Sequence, residues 1–186
     1  MNTTDLLARI QSREPAAAKA AFAELVGLYQ RPLFGYLGRL GLPSGQAEEV
    51  AQETFLRVWQ NLASYRPGLA AFSTWLYTIA HRLALNELTR AAAQRESPVT
   101  ADTPESVCEQ PQPPEQLAAR QQRQRLLHAL HQLPLAERSI LALAYVQELP
   151  LDDVARIEGC TPGAAKVRLH RARHKLAALL EPHHES

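Results

Sequence analysis

The chain has 186 residues, a length that suits one medium-sized domain or two small ones. Hydrophobic residues make up 46% of it and aromatic residues only 6%, and the abundance of alanine and leucine favours helices over strands. The formal net charge of +1 excludes an overall basic field, so any affinity for nucleic acid must come from local patches.

The cysteine content and the N-terminus predict a cytoplasmic protein. Cys108 and Cys160 have no CxxC spacing and are too few for a disulfide framework, as expected in a reducing compartment. Residues 1–14 alternate charged and apolar side chains and lack the apolar core of a signal peptide. Since no segment approaches the ~20 apolar residues of a membrane span, we expect no insertion into a membrane.

The first predicted domain, residues 1–96, contains a long helical stretch near its start. Apolar residues recur at helical spacing over 22–40, and Gly41 supplies a C-terminal stop. Pro32 is expected to kink or divide this stretch, because proline lacks the amide hydrogen that the helix needs.

Two more helices complete this domain. Ser44 can cap a helix over about 45–62, whose acidic residues lie in its first turns, where the helix dipole favours them. After the loop SYRPG, a third helix is predicted over about 72–95. Its spacing buries one stripe, formed by Leu76, Ile79, Ala80 and Leu83. Another stripe carries Arg82, Asn86 and Arg90.

Residues 97–116 are predicted to be a linker between two domains. They contain five prolines and no Lys or Arg, and residues 96–116 carry five acidic residues. Such a composition cannot hold a helix and has little to bury. The alternative, a long functional loop within one domain, is less favoured because both flanks show their own helical periodicity.

The second predicted domain, residues 117–186, contains a helix-turn-helix. Its four helices are expected over about 115–133, 136–146, 151–158 and 161–180. The last two are joined by a short turn at Gly159, and Thr161 followed by Pro162 is a favourable start for the final helix. This arrangement is typical of DNA-binding domains.

The final helix is apolar on one face and basic on the rest. Its apolar face comprises Ala165, Leu169, Ala172, Leu176 and Leu179. Its flanks carry Lys166, Arg168, Arg171, Arg173 and Lys175. Because no acidic residue occurs between Glu158 and Glu181, positive charge is confined to this element, which predicts contact with DNA. An ordinary solvated face is the alternative, although such faces usually mix charges.

Three stretches of the chain resemble, in the right order, blocks of the extracytoplasmic-function (ECF) subfamily of sigma-70 RNA polymerase sigma factors. The family's polymerase-binding helix is similar to AEEVAQETFLRVWQNL, and its −10 element helix to FSTWLYTIAHRLALNELTR. Its −35 recognition domain is similar to LPLAERSILALAYVQELPLDDVARIEGCTPGAAKVRLHRARHKL. The resemblance implies two small helical domains joined by a linker, in an alternative sigma factor that binds core RNA polymerase and directs transcription initiation.

This resemblance also implies how the protein is controlled. We expect no enzymatic activity and no cofactor. The expected inducing signal is an envelope or environmental stress, acting through an anti-sigma factor that is either membrane-associated or soluble.

The chain departs from the family at Ala164-Ala165, where Thr-Val is common, at Asn86, where Asp is frequent, and at Thr89, where Arg is frequent. These departures affect the expected promoter preference and not the class of function.

The polymerase-binding helix needs an exposed face with both apolar area and oriented polar groups. The predicted residues are Glu49, Gln52, Glu53, Leu56, Arg57 and Gln60. By resemblance, their partner is the coiled-coil clamp element of the largest polymerase subunit. An ordinary amphipathic surface helix is the alternative. Phe55 and Trp59 are expected to lie in the core rather than at the interface.

Promoter opening requires a site that holds single-stranded −10 DNA. Planar groups and a basic track suit this task, because every base offers a π-face. The predicted residues are Tyr65, Arg66, His81, Arg82, Asn86 and Arg90. Asn86 can pair with a base edge, and His81 is either a phosphate contact or a bystander. Trp75 is a buried anchor or a stacking platform, and the first is favoured.

Residues at the start of a recognition helix reach base edges, while later basic residues hold phosphates. For the double-stranded −35 element we predict base contacts from Thr161, Lys166 and His170. Phosphate contacts are predicted from Arg168, Arg171 and Arg173.

Two other functions are less favoured. His170 and His174 are spaced to share a metal ion, with Cys160 nearby, but the surrounding basic cluster would repel a cation, so no metal site is expected. A DNA-binding regulator that never contacts polymerase would bind a specific DNA sequence by itself. A sigma factor is expected to bind DNA weakly alone and to open promoters only with core polymerase.

Overall fold

The computed structural model describes residues 3–11, 14–95 and 114–181, and every regular element among them is helical. In chain order the helices are α1 (Thr3–Ile10), α2 (Pro15–Leu40), α3 (Ser44–Asn61), α4 (Phe72–Arg95), α5 (Pro114–Gln132), α6 (Leu135–Leu141), α7 (Leu151–Glu158) and α8 (Pro162–Leu180). A 3-10 turn, Leu62–Ser64, follows α3, and a π-helical turn, Ala142–Val146, extends α6. The predicted all-helical fold in two halves is confirmed.

Part of the predicted linker lies outside the described residues. Of residues 97–116, only the last three are described, and they form the first turn of α5. Cys108 also lies outside the described ranges. Within those ranges, no helix is both long and apolar enough to cross a membrane.

Helix α2 ends as predicted but is not divided. Gly41 has a φ of 96°, a left-handed conformation that favours glycine, and it caps the helix. Pro32, which was expected to kink or divide the stretch, does not divide it, since α2 runs through it, with Leu25 before it and Leu33 after it fully buried. Ser44 does not cap α3 through its side chain, because the helix starts at Ser44 itself and Pro43 takes the capping position.

The patterns above do not predict α1. Its buried residues, Leu6, Leu7 and Ile10, pack on α2, and the hydroxyl groups of Thr3 and Tyr29 are 3.2 Å apart. A helix of eight residues is too short to be stable alone, so it depends on this packing.

The second half has the predicted helix-turn-helix. Helices α7 and α8 pack together across a turn in which Gly159 adopts a φ of 65°, again left-handed. The hydroxyl of Thr161 accepts a hydrogen bond from the amide of Ala164 at 3.2 Å, so the predicted cap is confirmed.

The two halves pack against each other around α4. In the first half α4 packs on α3, and its other side packs on α7 of the second half, while α2 packs on α6. Buried residues of both halves form one continuous apolar cluster. Helix α4 is therefore covered on two sides and exposed along a third.

Candidate polymerase-binding and DNA-binding surfaces

The outer face of α3 presents most of the predicted polymerase-binding residues to solvent. The exposed members are Glu49, Gln52, Leu56, Arg57 and Gln60. Glu53 is half-buried, and its Oε1 accepts a hydrogen bond from Nε of Arg57 at 2.6 Å. An exposed pair one helical turn apart contributes only about 0.3–0.5 kcal/mol to stability. Its charges therefore remain available to a partner.

The prediction that two aromatic rings of α3 lie in the core is right for Phe55 and wrong for Trp59. Phe55 is buried, but 38% of Trp59 is exposed. The ring of Trp59 packs against Phe22, with centroids 4.8 Å apart. Both rings and Leu56 line a groove of about 350 Å³ between α2 and α3. The apolar area that a protein partner requires thus adjoins the polar residues of α3.

Arg82, Asn86 and Arg90 lie one turn apart on the exposed side of α4, as the periodicity predicts. Nη2 of Arg90 is 2.7 Å from Oε2 of Glu87. A groove of about 230 Å³ separates α3 from α4, with Asn86 and Arg90 on one side and Glu53 on the other. The predicted polymerase-binding and −10 residues therefore occupy adjoining surfaces.

The prediction that Tyr65 stacks on an unpaired base is corrected by its burial. Only 7% of Tyr65 is exposed, and its hydroxyl donates a hydrogen bond to the carbonyl of Ala70 at 3.1 Å. Its ring packs against Phe72 and Trp75, with centroids 5.7 and 5.3 Å away, and burial raises the pKa of Tyr65. Trp75 is partly buried in the same cluster, as an anchor. Arg66 is exposed in this loop.

The prediction that His81 contacts the DNA backbone is also corrected. His81 is 5% exposed, and its Nδ1 is 2.8 Å from the hydroxyl of Tyr36 and 3.3 Å from that of Ser139. Burial lowers the pKa of His81 to about 4, and the charge of Arg82 acts in the same direction. The ring is therefore neutral at physiological pH and faces the other half of the chain.

Helix α8 exposes most of its predicted DNA-binding residues. These are Lys166, His170, Arg171 and Arg173, and Thr161 is exposed at the helix start. Arg168 is an exception, because its Nη1 lies 3.1 Å from Oε2 of Glu158, a side chain that is only 4% exposed. Burial raises the pKa of Glu158, and Ser139 and Arg168 act in the opposite direction. The predicted phosphate contact of Arg168 is corrected: the guanidinium neutralises a buried carboxylate and joins α7 to α8.

The histidine pair of α8 lies on the exposed surface. Nε2 of His170 is 3.1 Å from Nε2 of His174. Across the residues that the structure describes, no group of three or more His, Cys, Asp or Glu side chains is placed to hold a metal ion. Cys160 is a free, partly buried thiol in the preceding turn.

A helix-turn-helix with an acid-free basic helix, together with a separate helical face of mixed apolar and polar residues, defines a DNA-binding protein with a protein-contact surface. Two parts of the chain match models of a known protein family. Residues 25–94 match Sigma-70 region 2, and residues 123–176 match Sigma-70, region 4.

Curated relatives agree with these matches over most of the chain. The RNA polymerase sigma-H factor of Pseudomonas aeruginosa is 33% identical over 171 residues, with 88% of each chain covered. The ECF RNA polymerase sigma factor RpoE of Cereibacter sphaeroides is 30% identical, with 93% of each chain covered.

Two solved structures share the fold. CnrH, in complex with the cytosolic domain of CnrY, aligns with a TM-score of 0.68 and 24% identity over 95% of each chain. The sigma factor RpoE of Bartonella quintana, in complex with the anti-sigma factor NepR, aligns with a TM-score of 0.69 and 22% identity, over 87% of this chain and 98% of that one. The chain belongs to the ECF subfamily of sigma-70 RNA polymerase sigma factors. It is an alternative sigma factor, which binds core RNA polymerase and promoter DNA and directs transcription initiation.

Proposed function

We propose a division of labour along this sigma factor. Residues 1–96 bind core polymerase and the −10 element, residues 97–116 link the domains, and residues 117–186 read the −35 element. The observation that carries the proposal is the exposed basic surface of α8, a helix without acidic residues that ends a helix-turn-helix. The matches to regions 2 and 4 fall inside the two proposed domains and support it.

The outer face of α3 contacts the coiled-coil clamp element of the largest polymerase subunit. It offers the polar groups of Glu49, Gln52, Glu53, Arg57 and Gln60 together with the exposed side chain of Leu56. Trp59 adds a partly exposed ring at the edge of this face. Tryptophan is enriched among the residues that contribute most to the affinity of protein interfaces.

The exposed side of α4 holds the single-stranded −10 element. Arg82 and Arg90 attract the backbone, Arg66 extends the basic track into the preceding loop, and the amide of Asn86 pairs with a base edge. The rings of Tyr65 and Trp75 contact each other on the buried side of this loop and stabilise its conformation.

Helix α8 enters the major groove of the −35 element. Lys166 and His170 reach base edges, and Arg171 and Arg173 hold phosphates. Thr161 accepts the capping bond with its oxygen, which leaves its hydroxyl hydrogen free to donate to DNA.

We also propose that an anti-sigma factor, membrane-associated or soluble, inhibits the protein and releases it on an envelope or environmental stress. The aligned RpoE of Bartonella quintana was solved with an anti-sigma factor, which supports this inference. The protein acts in the cytoplasm, where core polymerase is found, and it has no catalytic role and uses no cofactor.

A transcription assay with purified core polymerase on a library of genomic fragments tests the class and the promoter preference together. The Glu53→Arg variant should lose polymerase binding and remain folded, because reversing one interfacial charge repels a complementary surface. Glu14→Arg, an exposed change outside the α3 face, is the control. Wild-type polymerase affinity of a folded Glu53→Arg protein would make this face an ordinary surface. Specific DNA binding without polymerase would indicate a stand-alone regulator.

A further inference from the structure

A cavity of about 1020 Å³ lies between α2, the start of α3, α5 and residues 146–148. None of the residues assigned above to polymerase or DNA lines it. Its volume is at the upper end of the range of ~300–1,000 Å³ that is typical of small-molecule sites. Three arginines line it, Arg31 and Arg39 of α2 and Arg123 of α5. The cavity is therefore large enough for a ligand and carries cationic groups from two helices.

These three arginines have no acidic partner in the part of the chain that the structure describes. The ion pairs found there join other side chains. Nη1 of Arg39 donates a hydrogen bond only to the backbone carbonyl of Gly35, at 2.6 Å. Burial lowers the pKa of Arg39, and the positive charge of Arg123 acts in the same direction. The two guanidinium groups repel each other, and a bound anion would remove this repulsion.

Two glycines of α2 leave space in the cavity. A Cβ at Gly35 would lie 2.8 Å from Nη1 of Arg39, so glycine makes room for the guanidinium beside the helix. A Cβ at Gly38 would meet no atom within 4 Å. Glycine inside a helix is less stable than alanine, so the open space next to Arg39 has a cost in helix stability.

The wall formed by the second half contains a residue in an unfavourable backbone conformation. Glu148 has a φ of 52°, the left-handed region that favours glycine. The preceding Gln147 is held on both sides, because it accepts a hydrogen bond from the hydroxyl of Tyr77 and its Nε2 donates to the carbonyl of Pro32 at 3.2 Å. Such backbone conformations persist where the surrounding structure fixes them, and they cluster at active sites and ligand clamps.

The lining combines groups that suit the three parts of a nucleotide. Arginine binds phosphate oxygens through paired hydrogen bonds. Glu48 and Glu148 also line the cavity, and carboxylates accept hydrogen bonds from ribose hydroxyls. The ring of Phe34 is 38% exposed there, and an aromatic ring can stack on a base. A simple anion would leave the ring unused, and the two carboxylates would repel an acidic peptide.

We propose that this cavity binds a nucleotide. Arg39 and Arg123 hold its phosphates, and Phe34 stacks on its base. The carboxylates of Glu48 and Glu148 accept hydrogen bonds from its ribose. The site goes beyond the polymerase and promoter contacts and does not depend on them. Because a ligand that binds only the folded chain stabilises it by mass action, the nucleotide also raises the temperature of unfolding.

Calorimetric titration of the full chain with ADP and with GDP tests the proposal. At least one of them should bind saturably, and inorganic pyrophosphate should displace it. Arg123→Ala should weaken binding at least tenfold, because it removes a phosphate contact. Arg125→Ala, a matched exposed arginine of α5 outside the cavity, should bind like the wild type. The bound nucleotide should raise the unfolding temperature of the wild type and of Arg125→Ala more than that of Arg123→Ala.

Filling the cavity provides a second, uncharged test. Gly38→Leu places a side chain in the empty space and should abolish binding. Gly27→Leu is the control, since a Cβ there also meets no atom within 4 Å and the residue lies outside the cavity. Circular dichroism verifies that each variant is folded.

Three results would overturn the proposal: no saturable binding of either nucleotide, equal losses in the two arginine variants, or full binding by folded Gly38→Leu. Displacement of the nucleotide by a single-stranded oligonucleotide as readily as by pyrophosphate would also overturn it, and would assign the cavity to a nucleic-acid backbone.

Discussion

The two halves of this sigma factor differ sharply in what fills their interiors. Ten of the eleven Phe, Trp and Tyr residues lie in residues 1–95, and the eleventh, Tyr145, is 54% exposed. The first half buries rings such as Tyr36 and Tyr77, whereas α8 contributes only Ala165 and Ala172 as buried residues. A domain with a small aliphatic core has little stability to spare. The second half therefore gains part of its stability from docking on the first.

Matched core substitutions should separate the stabilities of the two halves. Leu143 and Leu25 are both fully buried, one in each half, and Leu→Ala at such sites costs ~2–5 kcal/mol. Because both tryptophans lie in the first half, tryptophan fluorescence follows that half and circular dichroism follows all helices. In urea, Leu143→Ala should lose helix before the fluorescence changes, and Leu25→Ala should shift the fluorescence transition. Coincident, equally shifted transitions in both variants would mean one cooperative unit.

The junction between the halves should weaken in acid. The pKa of His81 is about 4 in the folded chain and about 6.5 when unfolded. Between these values the unfolded chain binds more protons, so stability falls as pH falls from about 6.5 to about 4, by up to roughly 3 kcal/mol in total.

Arg82 faces this imidazole as a repelling charge, while Tyr36 and Ser139 are its hydrogen-bond partners. His81→Gln should therefore show a shallower pH dependence of unfolding than the wild type, and exposed His170→Ala the wild-type slope. Identical slopes for all three proteins would exclude His81 as the titrating group.

On the exposed side of the first half, Asn86→Ala should impair promoter opening and not promoter location. Loss of a base-edge contact costs ~1–3 kcal/mol. The variant should join polymerase and reach the −35 element, and a pre-melted bubble should restore part of its activity, because the melting cost is then absent. Permanganate reactivity of unpaired thymines measures the opening. Gln30→Ala, an exposed change on α2 outside these surfaces, serves as control, and normal opening by Asn86→Ala would assign the base contact to other residues.

Of these substitutions, Arg171→Ala in the second half should have the smallest effect on free energy. Loss of one phosphate contact should weaken −35 binding on all sequences and lower the salt dependence of log K by about one. Arg168→Ala should instead destabilise the fold and leave the salt slope unchanged, since its partner Glu158 is buried. Binding measured over a series of salt concentrations distinguishes the two. A loss confined to one base position would show that Arg171 reads sequence.

Local signals made much of this fold predictable from sequence. The predicted ranges for α4 and α7 match the structure, and those for α3 and α8 differ from it by one residue. Turns and caps such as Gly159 and Thr161 act on their immediate neighbours, so their effect is visible in the sequence.

The errors concern contacts between distant parts of the chain. Tyr36 and Ser139 are 103 positions apart, and the contacts of Ser139 with Tyr36 and His81 arise only when the halves dock. The predictions for Tyr65 and Trp59 fail for a related reason, because the exposure of each ring depends on which helix covers it. Helical periodicity identifies one buried stripe of a helix. Helix α4, however, packs on two sides, and the residues of its second buried side cannot be told from exposed residues by their pattern in the sequence.

The π-helical turn at Ala142–Val146 sets the direction in which Gln147 leaves the second half. Such a turn is wider than an α-helical one, and each residue of an α-helix advances the chain by about 100°. Deleting one residue there would rotate Gln147 away from Tyr77 and Pro32, its partners across the interface. The sequences of α7 and α8 would stay as they are. The loss of a single codon would thus remove these contacts between the halves in one evolutionary step and leave the promoter-reading helix unaltered.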